Sequence, residues 1–117
     1  MQQWYNTDPM IVTRKLSKEE LVPLLIRHKE FIKVVVDIEM EILAAGGALH
    51  ADDEKVLLEA GSLQENLWGA NYFPKEARIE YKSLINIRPW QRNISQEISD
   101  PGIRDKVKQI VFQLLGP

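Results

Sequence analysis

Polar and apolar residues alternate with a period of two over two long stretches of the chain. Val34, Val36, Ile38, Met40 and Ile42 interleave with Asp37, Glu39 and Glu41, and Ile79, Tyr81, Ser83, Ile85 and Ile87 interleave with Arg78, Glu80 and Lys82. Such alternation marks strands with one buried face. Turn signals divide residues 33–88 at Gly46 and Gly47, at Ala60, Gly61 and Ser62, and at residues 74–77. The pattern predicts four consecutive strands in an antiparallel meander. The turns put Ala45 opposite Ala48, Val36 opposite Leu57, Leu57 opposite Gln64 and Phe73 opposite Arg78. One face then collects Val34, Val36, Ile38, Met40, Leu57, Trp68, Ala70, Tyr72, Ile79, Tyr81, Ile85 and Ile87, an agreement that a slip of one residue would break. Asp53 and Lys55 would point inward, so a bulge is expected near Asp52, Asp53 and Glu54. Residues 29–45 also fit helical spacing, but three successive valines favour strand.

Helical signals flank the meander. Ser17 and Glu20 form a capping box, Leu16 and Leu21 can staple it, and Leu21, Leu24, Leu25, His28 and Phe31 follow at helical spacing. Pro23 should kink this helix or shorten its first turn. Asp100 and Pro101 open a last helix whose buried stripe is Ile103, Val107, Ile110, Val111 and Leu114, with Gly116 as its end. Residues 10–13 fit an edge strand, and residues 89–99 fit either an irregular segment or a further extended piece. The expected fold is therefore α+β: a single domain over residues 10–117, with a four-stranded antiparallel meander and the two helices packed on one face. Residues 1–9 read as a flexible arm, with Trp4 or Tyr5 able to pack down.

Composition narrows the function classes. The 117 residues are 44% hydrophobic and 27% charged, the profile of one soluble domain. With no cysteine, disulfides and thiolate ligands are excluded, and a cytoplasmic location is expected. A net charge of −2 gives no pull toward nucleic acid, and no apolar run reaches the ~20 residues of a membrane span. The start of the chain has neither the basic nor the apolar part of a signal peptide.

Three groups of residues offer chemistry. In the meander register Asp37, Glu39 and Glu41 face outward, with Glu39 opposite Glu54, Glu41 opposite Asp52, and His50 alongside. Like charges across a strand pair repel, and these are the donor types of Ca²⁺, Mg²⁺ or Mn²⁺. Against a metal site stand the lack of EF-hand periodicity and the simpler reading of a solvated acidic face, so no cofactor is the primary expectation. Asn86, Arg88, Gln91, Arg92 and Asn93 surround Pro89 and offer a grip for an anion or nucleotide; the plainer alternative ties Arg88 to sheet carboxylates and the asparagines to loop backbone. Leu67, Phe73 and Leu84 fall on the outer face as a contact surface. His28 reads as a boundary core residue, while His50, set among acids, should favour its charged form. No catalytic serine arrangement or phosphate loop is present.

The segments VVVDIEMEILAAGGALHADDE (34–54), LLEAGSLQENLWGANYFP (57–74), SLINIRP with Gln91 and Asn93 (83–93), and DPGIRDKV (100–107) resemble a family of small prokaryotic proteins known as a domain of unknown function. The resemblance spans about residues 10–115 and implies a stand-alone α+β protein with no assigned activity. It also implies S-x-G-N-R-S after the proline, where Trp90, Arg92 and Ile94 stand at the first, third and fifth places; an arginine expected at 94 is missing. The functional expectation is a non-catalytic binding or interaction protein that forms a homo-oligomer. The alternatives are a divalent-metal protein or metal-dependent hydrolase, and an anion binder at Arg88 and Arg92.

Overall fold

Val34, Val35 and Val36 are all fully buried, which a strand achieves only when both faces of its sheet are covered. In the computed structural model, which describes residues 8–117, they lie on the central strand of a five-stranded antiparallel sheet. The strands are β1 (Met10–Val12), β2 (Ile32–Asp37), β3 (Ile42–Ala45), β4 (Leu67–Phe73) and β5 (Arg78–Glu80). Their order across the sheet is β1-β3-β2-β4-β5. The edge strand expected at residues 10–13 is therefore present and raises the count from four to five. The arm proposed for residues 1–9, with Trp4 and Tyr5, lies almost wholly outside the described residues.

Helix α1 (Lys18–Leu21) carries the predicted Ser17–Glu20 capping box. Pro23 then converts the chain into a 3-10 turn, Val22–Leu25, and the helix expected to run on through His28 and Phe31 ends there, a correction to the expected kink. Helix α2 (His50–Glu59) covers one sheet face, packing Leu57 with Val35, Ala44 and Leu67. Helix α3 (Pro101–Leu115) covers the other, where Val107, Ile110, Val111 and Leu114 meet Val34, Val36, Trp68, Ala70 and Tyr72. Asp100 caps α3 through the amides of Gly102 and Ile103, as the sequence leads one to expect. The N-terminal and C-terminal helices share one face as expected, since Leu21, Leu24 and Leu25 pack in the same cluster as α3; the unexpected helix is α2, which covers the opposite face.

The first two meander turns are also corrected. The chain reverses at residues 38–41, pairing Val36 with Leu43 and Val34 with Ala45. Asp37 makes that turn: its Oδ1 accepts the amides of Glu39 at 3.0 Å and Met40 at 2.9 Å, and Glu41 takes the left-handed conformation at φ 60°. Residues 50–59 then wind as α2, because His50, Asp53 and Leu57 fall on one helical face and are all buried. Gly61, at φ 109°, is the stop of this helix and not a hairpin turn. The amide of Ser62 reaches Leu57 O and that of Gly61 reaches Leu58 O, the paired bonds of a Schellman end. The third register holds, with Phe73 opposite Arg78 across a turn that leaves Ala77 left-handed. Of the predicted inner face, Met40 and Ile87 are instead exposed, and Leu57 and Ile85 serve the α2 side.

Candidate functional site

After β5 the chain runs back on itself in an irregular segment, residues 81–98, in which backbone pairing is sparse. The amide of Ser83 meets Gln96 O, that of Ile98 meets Tyr81 O, and Arg88 and Asn93 exchange both backbone bonds. Three buried polar side chains supply the rest. Asn86 grips Gly69 on β4 from both sides, its Oδ1 accepting the Gly69 amide at 2.8 Å and its Nδ2 donating to Gly69 O at 3.0 Å. Only glycine allows this approach, since a Cβ at position 69 would lie 2.6 Å from that of Ser83. Asn93 donates through Nδ2 to the carbonyls of Asn86, Ser95 and Glu97 and accepts the amide and hydroxyl of Ser99. Arg88 donates to the carbonyls of Gln64 and Leu67, and its guanidinium lies 4.0 Å from the centre of the Trp68 ring. Burial pushes the Arg88 pKa below its ordinary value, with the charge of Glu54 acting the other way.

What these polar anchors hold in the solvent is apolar. Leu84 is 71% exposed, Trp90 72%, Ile94 81% and Ile87 41%. Leu63 and Trp90 border one shallow surface cleft together with Gln64, Glu65 and Gln91. The usual arrangement, apolar residues in and polar residues out, is inverted over residues 84–94.

A second cleft, of about 360 Å³, opens where the N-terminus of α2 meets residues 82–85. Its floor continues the α2 side of the sheet, where Lys33 on β2 pairs with Asn71 on β4, and Asn71 pairs with Glu80 on β5. His50, at the first turn of α2, bonds Ala70 O through Nε2 at 2.8 Å, which requires Nε2 to carry the proton. Burial lowers its pKa to about 4, only partly offset by that carbonyl and by the nearby Asn71 amide.

A family model matches residues 10–114. The chain belongs to the family described as protein of unknown function, DUF5674. No curated protein and no solved structure matches it.

In this family member the sequence-derived site residues are distributed as follows. The acidic candidates do not converge, because their pairing required residues 50–54 to be a strand. Asp37 is fully buried and spends its carboxylate on the 38–41 turn and on Ser62 Oγ at 2.6 Å. Glu39 and Glu41 sit exposed on that turn, Asp52 caps the Leu49 amide at 3.0 Å, and Glu54 is 3.5 Å from Gln64. Among the described residues no three acids or histidines are grouped to hold a metal ion. His50 favours its neutral form, since burial lowers its pKa and its charged neighbours Lys33 and His28 act in the same direction, which reverses the expected charge. His28 is a half-buried residue stacked on Phe31, with ring centres 4.7 Å apart, as expected.

The anion grip is dismantled in its main part. Asn86, Arg88 and Asn93 point inward to backbone partners, Gln91 donates to Glu65 O, and only Arg92 of the five is exposed. The backbone role foreseen for the asparagines holds, whereas Arg88 binds carbonyls and not carboxylates. Of the contact-surface residues Leu84 is exposed, Phe73 is partly buried against Phe31, and Leu67 is fully buried beneath α2. Sequence reasoning missed Ile87, Trp90 and Ile94 as surface residues, and Lys33 and Asn71 as cleft residues. The inversion at 86–88 could have been found by treating Asn86 and Arg88 as the inward set of that alternation.

Proposed function

We propose that this protein is a non-catalytic interaction module that self-associates through the apolar side chains of residues 84–94. The inverted wiring of that segment carries the reading: three buried polar side chains hold Leu84, Ile87, Trp90 and Ile94 in water. Exposed, rigidly held apolar groups of this kind mark contact surfaces, and tryptophan is the residue type most enriched at their energetic centres. A second copy is the partner favoured by chemistry. Faces between identical chains are more apolar than transient ones, as the exposed side chains Leu84, Ile87, Trp90 and Ile94 are. A non-catalytic role fits His50, whose low pKa makes it a weak base at neutral pH. Size-exclusion chromatography with light scattering tests the proposal. The native chain is expected to elute as a dimer and Ile94→Arg as a monomer; a native monomer at all concentrations would refute it.

A further inference from the structure

The cleft beside the α2 N-terminus shares Leu84 with the contact surface but draws its polar groups from elsewhere, and these are incompletely satisfied. Asn71 is only 8% exposed, and its Oδ1 lacks a full hydrogen bond, with only the His50 ring acting on it at longer range. The orientation of that amide is fixed, because Nδ2 donates to Glu80 Oε1 at 3.0 Å on the β5 side. Oδ1 is therefore the amide atom left for the cleft, which Asn71 lines on its His50 side. A buried carbonyl without a donor costs about 1–3 kcal/mol. Neutral His50 adds a second acceptor, for with Nε2–H committed to Ala70 O its Nδ1 carries a lone pair.

Two lysines stand on the cleft side of these acceptors, opposite the Glu80 carboxylate. Lys33 and Lys82 both line the cleft, and neither enters an ion pair among the described residues. Lys33 instead extends over the Phe31 ring, 5.6 Å from its centre. His50 and Ala51 in the first turn of α2 form one wall, and Leu49 and Leu84, both largely exposed, border the opening. The complement of this surface has an anionic group for the lysines, an N–H or O–H donor for the acceptors, and an apolar part for the leucines.

We infer that this cleft binds a small carboxylate bearing a hydroxyl group and an apolar tail, with Lys33 and Lys82 holding the carboxylate and Asn71 Oδ1 accepting the hydroxyl. The polar contacts of this inference do not depend on self-association, since Lys33, Asn71 and Lys82 lie outside residues 84–94; only Leu84 borders both sites.

The test is titration of the ¹⁵N-labelled native chain with 2-hydroxy-4-methylpentanoate, followed by amide and side-chain chemical shifts. Shifts that saturate at the Asn71 side-chain amide and at the backbone amides of His50 and Ala51 are expected. Two comparisons read the contacts separately. 4-Methylpentanoate, which lacks the hydroxyl, should bind at least about tenfold more weakly, the value of one hydrogen bond. The Lys33→Met/Lys82→Met variant should lose saturable binding while its thermal unfolding stays native-like. Absence of shifts up to about 10 mM ligand would overturn the inference. So would equal binding of the two acids, equal binding by the lysine variant, or inorganic phosphate producing the same shifts with the same affinity.

Discussion

Helix α3 and the segment before it attach to the same domain by opposite means. In α3 every buried side chain is apolar: Val107, Ile110, Val111, Leu114 and Leu115. In residues 84–94 every buried side chain is polar: Asn86, Arg88 and Asn93, at 0%, 2% and 3% exposure. The helix is held by removal of apolar area from water, which is non-directional and tolerant of small shifts. The segment is held by directed hydrogen bonds in a dry setting, which are strong only when every partner is in place. The first design leaves a charged outer surface. The second leaves an apolar one, and that difference is what gives residues 84–94 the chemistry of a contact surface.

The most severe challenge to this contrast is removal of one anchor of each kind. Asn93→Ala strips five hydrogen bonds and strands several buried backbone groups, so a loss of about 4 kcal/mol is expected in urea unfolding. Leu115→Ala in α3 should cost about 3 kcal/mol through its cavity. A loss below about 1 kcal/mol at Asn93 would show that the amide anchors are incidental. Next in size is Gly69→Ala. Its new methyl would collide with Ser83 and push the segment from β4, for a cost of about 2 kcal/mol.

A pH series separates the anchors from buried groups that titrate. Asp53 is fully buried, with Oδ1 on the Gly47 amide and Oδ2 unpartnered, and burial raises its pKa to about 7 from an ordinary 3.8. The folded state therefore holds a proton that the unfolded state has lost, and stability falls as pH rises through 7. His50, lowered to about 4, acts in the opposite sense, its contribution being lost as pH falls from 6.5 toward 4. Between those limits the two offset each other. From pH 6.5 to 8 the Asp53 effect amounts to about 1 kcal/mol of falling stability, opposed by His50 and His28, both lowered by burial, as the unfolded imidazoles lose their last protons. Asp53→Asn should therefore turn the pH dependence of thermal melts upward over this range relative to the native chain, whereas Asn93→Ala should leave it unchanged, because an amide does not titrate.

How far the sequence could be read follows from the same contrast. Helix α3 was legible in full, since a 3.6-residue apolar stripe, an Asp cap and a Gly stop all state one answer. The α1 capping box, β1 and the β4–β5 register were legible for similar local reasons. The turn at residues 38–41 was not. It contains no Gly, Asn or Pro and is made by the buried Asp37 carboxylate together with a left-handed Glu41. Without that turn the pattern up to residue 66 shifts: α2 reads as a strand, its glycine stop as a hairpin, and the acids of the 38–41 turn and of α2 as one face. The metal and charged-His50 expectations followed from that displacement. The alternation at residues 84–88 was seen, but assigned with Ile85 and Ile87 inward, since apolar-in is the ordinary rule and the asparagine partners on Gly69 and Gln96 are distant in sequence.

The contact surface itself is reached most directly by sedimentation equilibrium of the native chain beside Trp90→Asp, with urea unfolding of the variant measured at a concentration where the native chain is monomeric. The native chain is expected to form a dimer and the variant to remain a monomer, with stabilities within about 0.5 kcal/mol of each other. A native chain that stays monomeric, or a variant destabilised by more than about 2 kcal/mol, would contradict it: the first denies the association, and the second makes Trp90 part of the core.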